Sequence, residues 1–252
     1  MTDSERPDHY SYTLYADPAT ARAFDEKRFG GPIGELVAST QARVIGDFLG
    51  SVQGRRILDV GTGTGRAAFV LTRAGAQVTG VDSSDEMLSV ARRRAAEDGL
   101  DVTFSRGDAH ALEYPDRSFD AVVSLRVLMH TPRWRQCVAE LCRVADNLVV
   151  LDYPSAYSAA ALEAVGRRIM AGVGLKTEPY RVLASGPLYT ALKRSGFRVR
   201  AVHRQFVLPI TLHKTLGSRR LTTQVEGFLG KTGALRLFGS PITLVAERCR
   251  TS

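Results

Sequence analysis

A glycine-rich run, DVGTGTG at residues 59–65, carries the strongest chemical signal in the sequence. Glycines in such a turn permit positive φ angles and let a ligand approach the backbone closely. Asp82 stands 21 residues after Gly61, where a carboxylate can accept hydrogen bonds from both hydroxyls of a ribose. The run and the aspartate together predict a site for a ligand that contains a nucleoside.

The glycine pattern alone leaves the kind of nucleoside ligand open. The dinucleotide fingerprint GxGxxG fails when it is counted from Gly61, because Arg66 occupies its last position. Counted from Gly63, the variant GxGxxA is satisfied by Gly65 and Ala68. A nicotinamide-dependent oxidoreductase therefore remains an alternative.

The chain around this run alternates between strand and helix patterns. Short apolar runs predict strands at 55–61, 77–82, 101–108, 119–125, 147–153, 197–206 and 241–249. Helical patterns stand at 65–74, from Ser83 onward, near 133–144 and at 185–194. Ser83 and Glu86 have the spacing of a capping box. The alternation predicts a parallel, doubly wound α/β sheet.

Three segments fall outside the alternation, at 1–50, about 154–184 and about 207–240. We interpret residues 1–50 as an N-terminal helical segment and residues 51–252 as the domain that holds the sheet, with the other two segments as helical insertions. Ligands of open α/β sheets bind beyond the carboxyl ends of the strands. Segments added near that edge are therefore candidates for a lid.

Four stretches resemble the class I S-adenosylmethionine-dependent methyltransferases, in the branch that includes ubiquinone and menaquinone biosynthesis enzymes. They read ILDVGTGTGR (57–66), VTGVDSSDEMLSVAR (78–92), GDAHALEYPDRSFDAVVS (107–124) and RVLMHTP (126–132). The resemblance is close over residues 45–155 and loose from there to 252. It implies a Rossmann-like, doubly wound, mostly parallel seven-stranded sheet with an antiparallel last strand and helical lid insertions.

The resemblance also implies which residues bind S-adenosylmethionine, the expected cofactor. In such enzymes the first acid and the glycine loop hold the methionine part, and the acid after the second strand takes the ribose hydroxyls. The acid after the third strand, here Asp108, faces the adenine, and a guanidinium from the N-terminal segment can pair with the methionine carboxylate. The expected binding residues are Tyr15, Arg28, Asp59, Gly61, Thr62, Gly63, Asp82, Ser83, Met87, Asp108, Ala109 and Leu125.

His130, which follows the fourth strand, is the candidate catalytic residue. Methyl transfer from a sulfonium requires mainly alignment of the nucleophile, which can be worth roughly 7–11 kcal/mol. A general base is needed where the acceptor still carries a proton, and an ordinary imidazole titrates at about pH 6.5. A structural histidine that shapes the loop before Pro132 is the alternative.

The expected function is methyl transfer to a small-molecule or lipid-like acceptor, at oxygen or an activated carbon. Amino-methylating relatives carry N/D-P-P-Y/F after the fourth strand, whereas this chain reads SLRV at 124–127, which disfavours an amide or adenine nitrogen. An NAD(P)-dependent oxidoreductase stays possible. An RNA methyltransferase is a further alternative, although no RNA-binding module is recognisable.

The charge of the chain is concentrated in its last part. The formal net charge is +8, and residues 152–252 hold 16 basic and 5 acidic side chains, whereas residues 51–151 are balanced. Such asymmetry favours an acidic partner or a membrane surface, or reflects a general preference for arginine. No apolar run approaches the ~18 residues of a membrane span, so membrane contact would be peripheral.

The cysteines and histidines show no metal-ligand spacing. The three cysteines form no CxxC pair, and the five histidines form no HxxH or HExxH pattern, so we predict no metal site. Unpaired thiols are typical of a reducing compartment, and the polar start of the chain does not resemble a secretory signal. We therefore expect a cytoplasmic location.

The 207–240 insertion contains an amphipathic helical pattern. Leu221, Val225, Phe228 and Leu229 fall on one helical face, with basic residues on both sides. A helix of this kind packs against its own domain, lies on a membrane interface or admits an amphiphilic, acidic acceptor. The spacing does not decide among these alternatives.

Overall fold

A computed structural model describes residues 25–26, 28–172 and 180–249 of the chain. A seven-stranded sheet forms its centre. The strands, numbered β1 to β7 in chain order, are Arg56–Val60, Gln77–Asp82, Val102–Arg106, Phe119–Ser124, Ala145–Tyr153, Phe197–Phe206 and Ser240–Arg248.

The strand order confirms the predicted fold class. It runs β3-β2-β1-β4-β5-β7-β6 across the sheet. Strands β1 to β5 pair in parallel, whereas β7 pairs antiparallel with both β5 and β6. Dinucleotide-binding folds usually have the order 3-2-1-4-5-6 instead, so insertion of the last strand beside β5 separates this sheet from theirs.

Helices cover both faces of the sheet and form the insertions. Numbered α1 to α9, they are Gly31–Leu49, Arg66–Arg73, Asp85–Glu97, Trp134–Val144, Ala159–Gly172, Ser185–Arg194, Ile210–Leu216, Arg219–Lys231 and Ala234–Phe238. None of the helices in the described ranges combines the length and hydropathy that a bilayer span requires.

The cap of α3 lies one residue later than predicted. Ser84, not Ser83, is the N-cap, and its Oγ accepts a hydrogen bond from the Met87 N–H at 3.1 Å. Strand β2 ends at Asp82, whose carboxylate accepts the Ser84 N–H at 3.0 Å. This contact fixes the backbone between strand and helix and leaves Ser83 as a linking residue.

The central strands bury both of their faces, because helices pack on each side of the sheet. Leu58 and Val122 belong to one core cluster, whereas their neighbours Ile57 and Val123 belong to the other. All four side chains are fully buried. Burial of each stabilises the fold by roughly 1.5–3 kcal/mol, which explains why these strands are continuously apolar.

The 207–240 insertion folds as α7, α8 and α9, and a buried polar cluster fixes it to the end of β6. Glu226 of α8 accepts hydrogen bonds from the backbone N–H groups of Val207 at 2.7 Å and Leu208 at 3.0 Å. Its Oε1 also lies 2.8 Å from Nε2 of His213. Thr222 Oγ1 lies 3.1 Å from the other ring nitrogen of His213.

This cluster decides which side of α8 the protein covers, a point that the sequence left open. The buried side chains of α8 are Thr222 and Glu226, whereas Leu221 and Phe228 of the apolar face are exposed. Periodicity groups residues onto a face but does not say which face the protein covers. Here the hydrogen bonds of Glu226 decide the orientation.

We expect Glu226→Ala to lower the free energy of unfolding by about 2–4 kcal/mol, because it leaves buried backbone donors without an acceptor. Chemical denaturation of the purified protein measures this. Gln224→Ala, at an exposed position of the same helix, is the matched control and should change stability by less than about 0.5 kcal/mol. Equal effects of the two changes would show that the cluster does not hold the insertion.

Candidate active site

A cleft opens where β1, β2 and β4 end at the same edge of the sheet, and we call it the strand-edge cleft. Most of the predicted site residues line it together. They are Asp59, Gly61, Thr62, Gly63, Asp82, Ser83, Met87, Asp108, Ala109, Leu125 and His130.

The first glycine of the loop lets two strand ends approach each other. Gly61 has a φ of 70°, and a Cβ built on it would lie 2.1 Å from Cγ2 of Val127. The N–H groups of Gly61 and Thr62 both donate to the carbonyl of Val81, at 2.7 and 3.0 Å. Only glycine allows this packing without displacement of the β4 exit loop.

Asp82 connects the glycine loop with the start of α3. Its Oδ2 accepts the Gly63 N–H at 2.8 Å, and its Oδ1 accepts the Ser84 N–H. A carboxylate oxygen has two acceptor positions, so the hydrogen-bonding capacity of Asp82 exceeds these two contacts. Burial raises the pKa of Asp82, and the backbone donors oppose that rise.

Asp59 is buried at the base of the cleft. Thr62 Oγ1 donates a hydrogen bond to its Oδ2 at 2.7 Å. Burial raises the pKa of Asp59 from 3.8 to about 6, although the hydrogen bond from Thr62 opposes the shift. At neutral pH the cleft therefore contains a carboxylate that is poorly solvated, which favours a cationic ligand group beside it.

Asp108, at the opposite end of the cleft, is held by His110, which the sequence analysis did not select. Its Oδ1 accepts the His110 N–H at 2.9 Å and lies 2.7 Å from Nδ1 of the same residue. Burial raises the pKa of Asp108, but the hydrogen bonds from His110 outweigh it and the pKa lies below its ordinary value. Asp108 is therefore ionised at neutral pH.

The sequence analysis also missed a stacked arginine in the cleft. Arg66 lies over the ring of Phe29 at 3.4 Å and donates a hydrogen bond to Oε1 of Gln41 at 2.6 Å. Burial lowers the pKa of Arg66 to about 10, which leaves it cationic at neutral pH. Arg66 is the residue that breaks the dinucleotide fingerprint. Its position directly after the glycine loop was the sequence signal that could have placed it in the cleft.

Two predicted residues are not placed in the strand-edge cleft. Arg28 lines a second cavity, whereas its neighbour Phe29 lines the cleft. Consecutive residues of a helical turn point about 100° apart, which is consistent with the two side chains lining different cavities. Arg66 and Arg126 are the guanidinium groups that line the cleft instead. Tyr15 lies outside the described residues.

The second cavity adjoins the strand-edge cleft, and the two share Arg126 and His130. Its wall comes from both insertions, including residues 158–160 and 206–211. Arg28, Arg167 and Tyr180 also line it, among apolar side chains. Asp152 and Glu163 line it as well, so the second cavity combines an apolar wall with three guanidinium groups and two carboxyl groups.

An unusual backbone conformation holds the boundary between the two cavities. Arg126 has a φ of 61°, which is uncommon for a residue other than glycine. Its N–H donates a hydrogen bond to Oδ1 of Asp152, a buried residue whose pKa is raised by burial. The short helical turn Leu128–His130 follows and places His130 at the boundary.

Comparison with known proteins identifies the family. A family model described as a methyltransferase domain matches residues 57–147. A demethylmenaquinone methyltransferase from Deinococcus radiodurans is 34% identical over 166 residues, which are 58% of this chain and 69% of that protein. The chain belongs to the S-adenosylmethionine-dependent methyltransferases. This membership decides against the nicotinamide-dependent alternative.

Two further similar proteins match over a shorter stretch or at lower identity. A demethylmenaquinone methyltransferase from Thermus thermophilus is 42% identical over 105 residues, 40% of this chain and 48% of that protein. The chain thus spans about half the length of this relative. A magnesium protoporphyrin IX methyltransferase from Synechocystis PCC 6803, solved with bound SAH, shares the fold. Its TM-score is 0.67 at 18% identity, over 95% of this chain and 98% of that one.

We expect Asp59→Asn to stabilise the protein above pH 6 and to have little effect near pH 4. Below pH 3.8 the wild-type carboxyl is protonated in both the folded and unfolded states, whereas above about 6 the folded state holds a buried charge. The difference in free energy of unfolding should therefore grow with pH, toward about 3 kcal/mol.

Denaturation curves across this pH range measure the effect, with Asp101→Asn, at an exposed site, as the control. A stability difference that does not change with pH would contradict the account of Asp59.

Proposed function

We propose that this chain transfers a methyl group from S-adenosylmethionine in the strand-edge cleft to a small amphiphilic acceptor in the second cavity. The observation that carries the proposal is that the two cavities meet at Arg126 and His130. Transfer between two bound molecules requires such a junction, because the reacting atoms must come within about 3–3.5 Å of each other.

The residues of the strand-edge cleft fit S-adenosylmethionine. Gly63 has open space where a side chain would stand, so a ligand can contact the loop backbone. Asp82 retains acceptor capacity for a ribose diol, and ionised Asp108 can accept from an exocyclic amine. Asp59, ionised above pH 6, suits the ammonium of the methionine part. Arg66 is a candidate partner for its carboxylate.

The remaining predicted residues complete this assignment. Ser83 and Met87 would lie beside the adenosine, Ala109 beside the adenine, and Leu125 along the pocket wall. When bound, S-adenosylmethionine supplies an electrophilic methyl group on a positively charged sulfur. The protein then has to align the acceptor and exclude water.

His130 would take the proton that the acceptor loses. It lies at the junction of the cavities, where an acceptor oxygen or an activated carbon must stand during transfer. Histidine is the side chain that most often serves as a general base. The proton would then pass to solvent, and the base would be restored for another turnover.

The lining of the second cavity favours a ring-hydroxylated, quinol-type acceptor. Apolar residues such as Met129, Phe206 and Ile210 suit a ring or a hydrocarbon chain, and the guanidinium groups of Arg28 and Arg167 suit an ionised oxygen. The names of the two demethylmenaquinone methyltransferases point to the same class of acceptor.

Calorimetry tests the proposed cofactor. The chain should bind S-adenosylmethionine and its demethylated product but not NAD(P)H. Asp82→Asn should weaken binding at least tenfold, about 1.4 kcal/mol, because an amide N–H₂ cannot accept from a ribose. Asp85→Asn, at a site that pairs with Arg106 on the surface, is the control. Thermal midpoints of both variants must be measured, and equal affinities would contradict the assignment of Asp82.

Turnover of His130 variants tests the base. With a quinol acceptor, His130→Ala should lower kcat by about 10²–10⁴-fold, with less than about a threefold change in cofactor affinity. His130→Gln can form hydrogen bonds but cannot act as a base near neutrality, so it should be equally slow. Activity restored in His130→Gln would indicate a structural role. Methylation of RNA in place of the quinol would favour the nucleic-acid alternative.

A further inference from the structure

The helices of the second insertion expose an unusual amount of apolar surface. Among the residues that the structure describes, most exposed large apolar side chains lie on α7, α8 and α9. We call this set the α7–α9 apolar face, and it consists of Leu212, Leu216, Leu221, Phe228, Leu237 and Phe238. Phe228 and Leu237 are the most exposed of these, at 67% and 65%.

The orientation of α8 is fixed by its hydrogen bonds, so this exposure is a stable property of the fold. Glu226 holds the β6 exit backbone and His213, and Thr222 contacts the other side of the same ring. Rotation of α8 to bury Phe228 would break the hydrogen bonds that Glu226 makes with the β6 exit backbone and His213. Large exposed apolar patches of this kind usually mark an interaction surface.

The charges around the α7–α9 apolar face indicate the charge of a partner that would fit it. Arg219, Arg220, Lys231 and Arg236 are all exposed on or beside the same helices. Glu226 is the only acidic residue between 207 and 240, and it is buried. The face therefore presents apolar side chains within a positively charged surround.

We propose that the α7–α9 apolar face docks on an anionic lipid surface. Apolar side chains would enter the boundary between headgroups and acyl chains, and the basic side chains would contact anionic headgroups. A second copy of the chain is a poorer partner, because contact through the same face would place these basic residues opposite one another. An anionic bilayer satisfies both features of the face.

The position of the face gives docking a consequence for the acceptor. Helix α7 begins at Ile210, and the adjoining residues Pro209 and Thr211 line the second cavity together with it. Docking would therefore hold the second cavity close to the bilayer. This consequence rests on the proposed function, since it matters only if the second cavity receives an amphiphilic acceptor. The docking of the face on a lipid surface does not depend on that function.

Flotation of the full chain with lipid vesicles tests the proposal. Vesicles of phosphatidylcholine with added phosphatidylglycerol should bind the chain, pure phosphatidylcholine should bind it at least tenfold more weakly, and added salt should weaken binding. The double variant Leu221→Ser/Phe228→Ser should lose at least tenfold in affinity for anionic vesicles. Arg219→Glu/Arg220→Glu should do the same.

Arg92→Glu/Arg93→Glu is the matched control, because it makes the same change in net charge on the exposed side of α3. This control should bind nearly as well as the wild type. Absence of binding to anionic vesicles, or equal binding of all variants, would overturn the proposal. Concentration-dependent dimers that disappear in the Leu221→Ser/Phe228→Ser variant would overturn it in favour of a second copy.

The outcome is separable from that of the proposed function. Vesicle binding requires neither cofactor nor acceptor, so its failure would leave the methyl-transfer proposal intact. Conversely, the two surface variants should bind S-adenosylmethionine as the wild type does, because none of the four residues lines the strand-edge cleft.

Discussion

The hydrogen bonds that the Asp82 carboxylate accepts are the contacts on which the rest of the site depends. One of its oxygens accepts from the glycine loop after β1, and the other accepts from the start of α3. These two contacts fix the loop and the helix at a common strand edge, and Gly61 lets the β4 exit loop pack against them. Burial raises the pKa of Asp82, so its ionised form is poorly solvated in the free protein, and a ligand that uses the remaining acceptor capacity would offset this cost.

Contacts at the same edge of the sheet explain why the strand-edge cleft and the second cavity meet. The β4 exit loop packs on Gly61 through Val127 and is anchored to Asp152 through the N–H of Arg126. Both contacts constrain the turn that carries His130. The insertions contribute to the wall of the second cavity, so one short loop stands between the strand-edge cleft and the second cavity.

The regular core of the fold was predictable, whereas the orientation of the helices in the insertions was not. Strands β2 and β6 have the predicted bounds. A largely buried strand such as β2 leaves a short apolar run, whereas the edge strand β6 exposes alternate side chains and leaves an alternation in the sequence. The orientation of α8 depends on contacts between Glu226 and the distant Val207, which spacing cannot reveal. The same holds for Arg28, because spacing does not reveal toward which cavity a residue ahead of α1 is directed.

A crystal structure of the chain with S-adenosylhomocysteine bound would test the central claim most directly. The account predicts the ribose hydroxyls on Asp82, the adenine beside Asp108 and the sulfur directed at His130 and the second cavity. A ligand bound elsewhere, or a sulfur directed away from the second cavity, would contradict it.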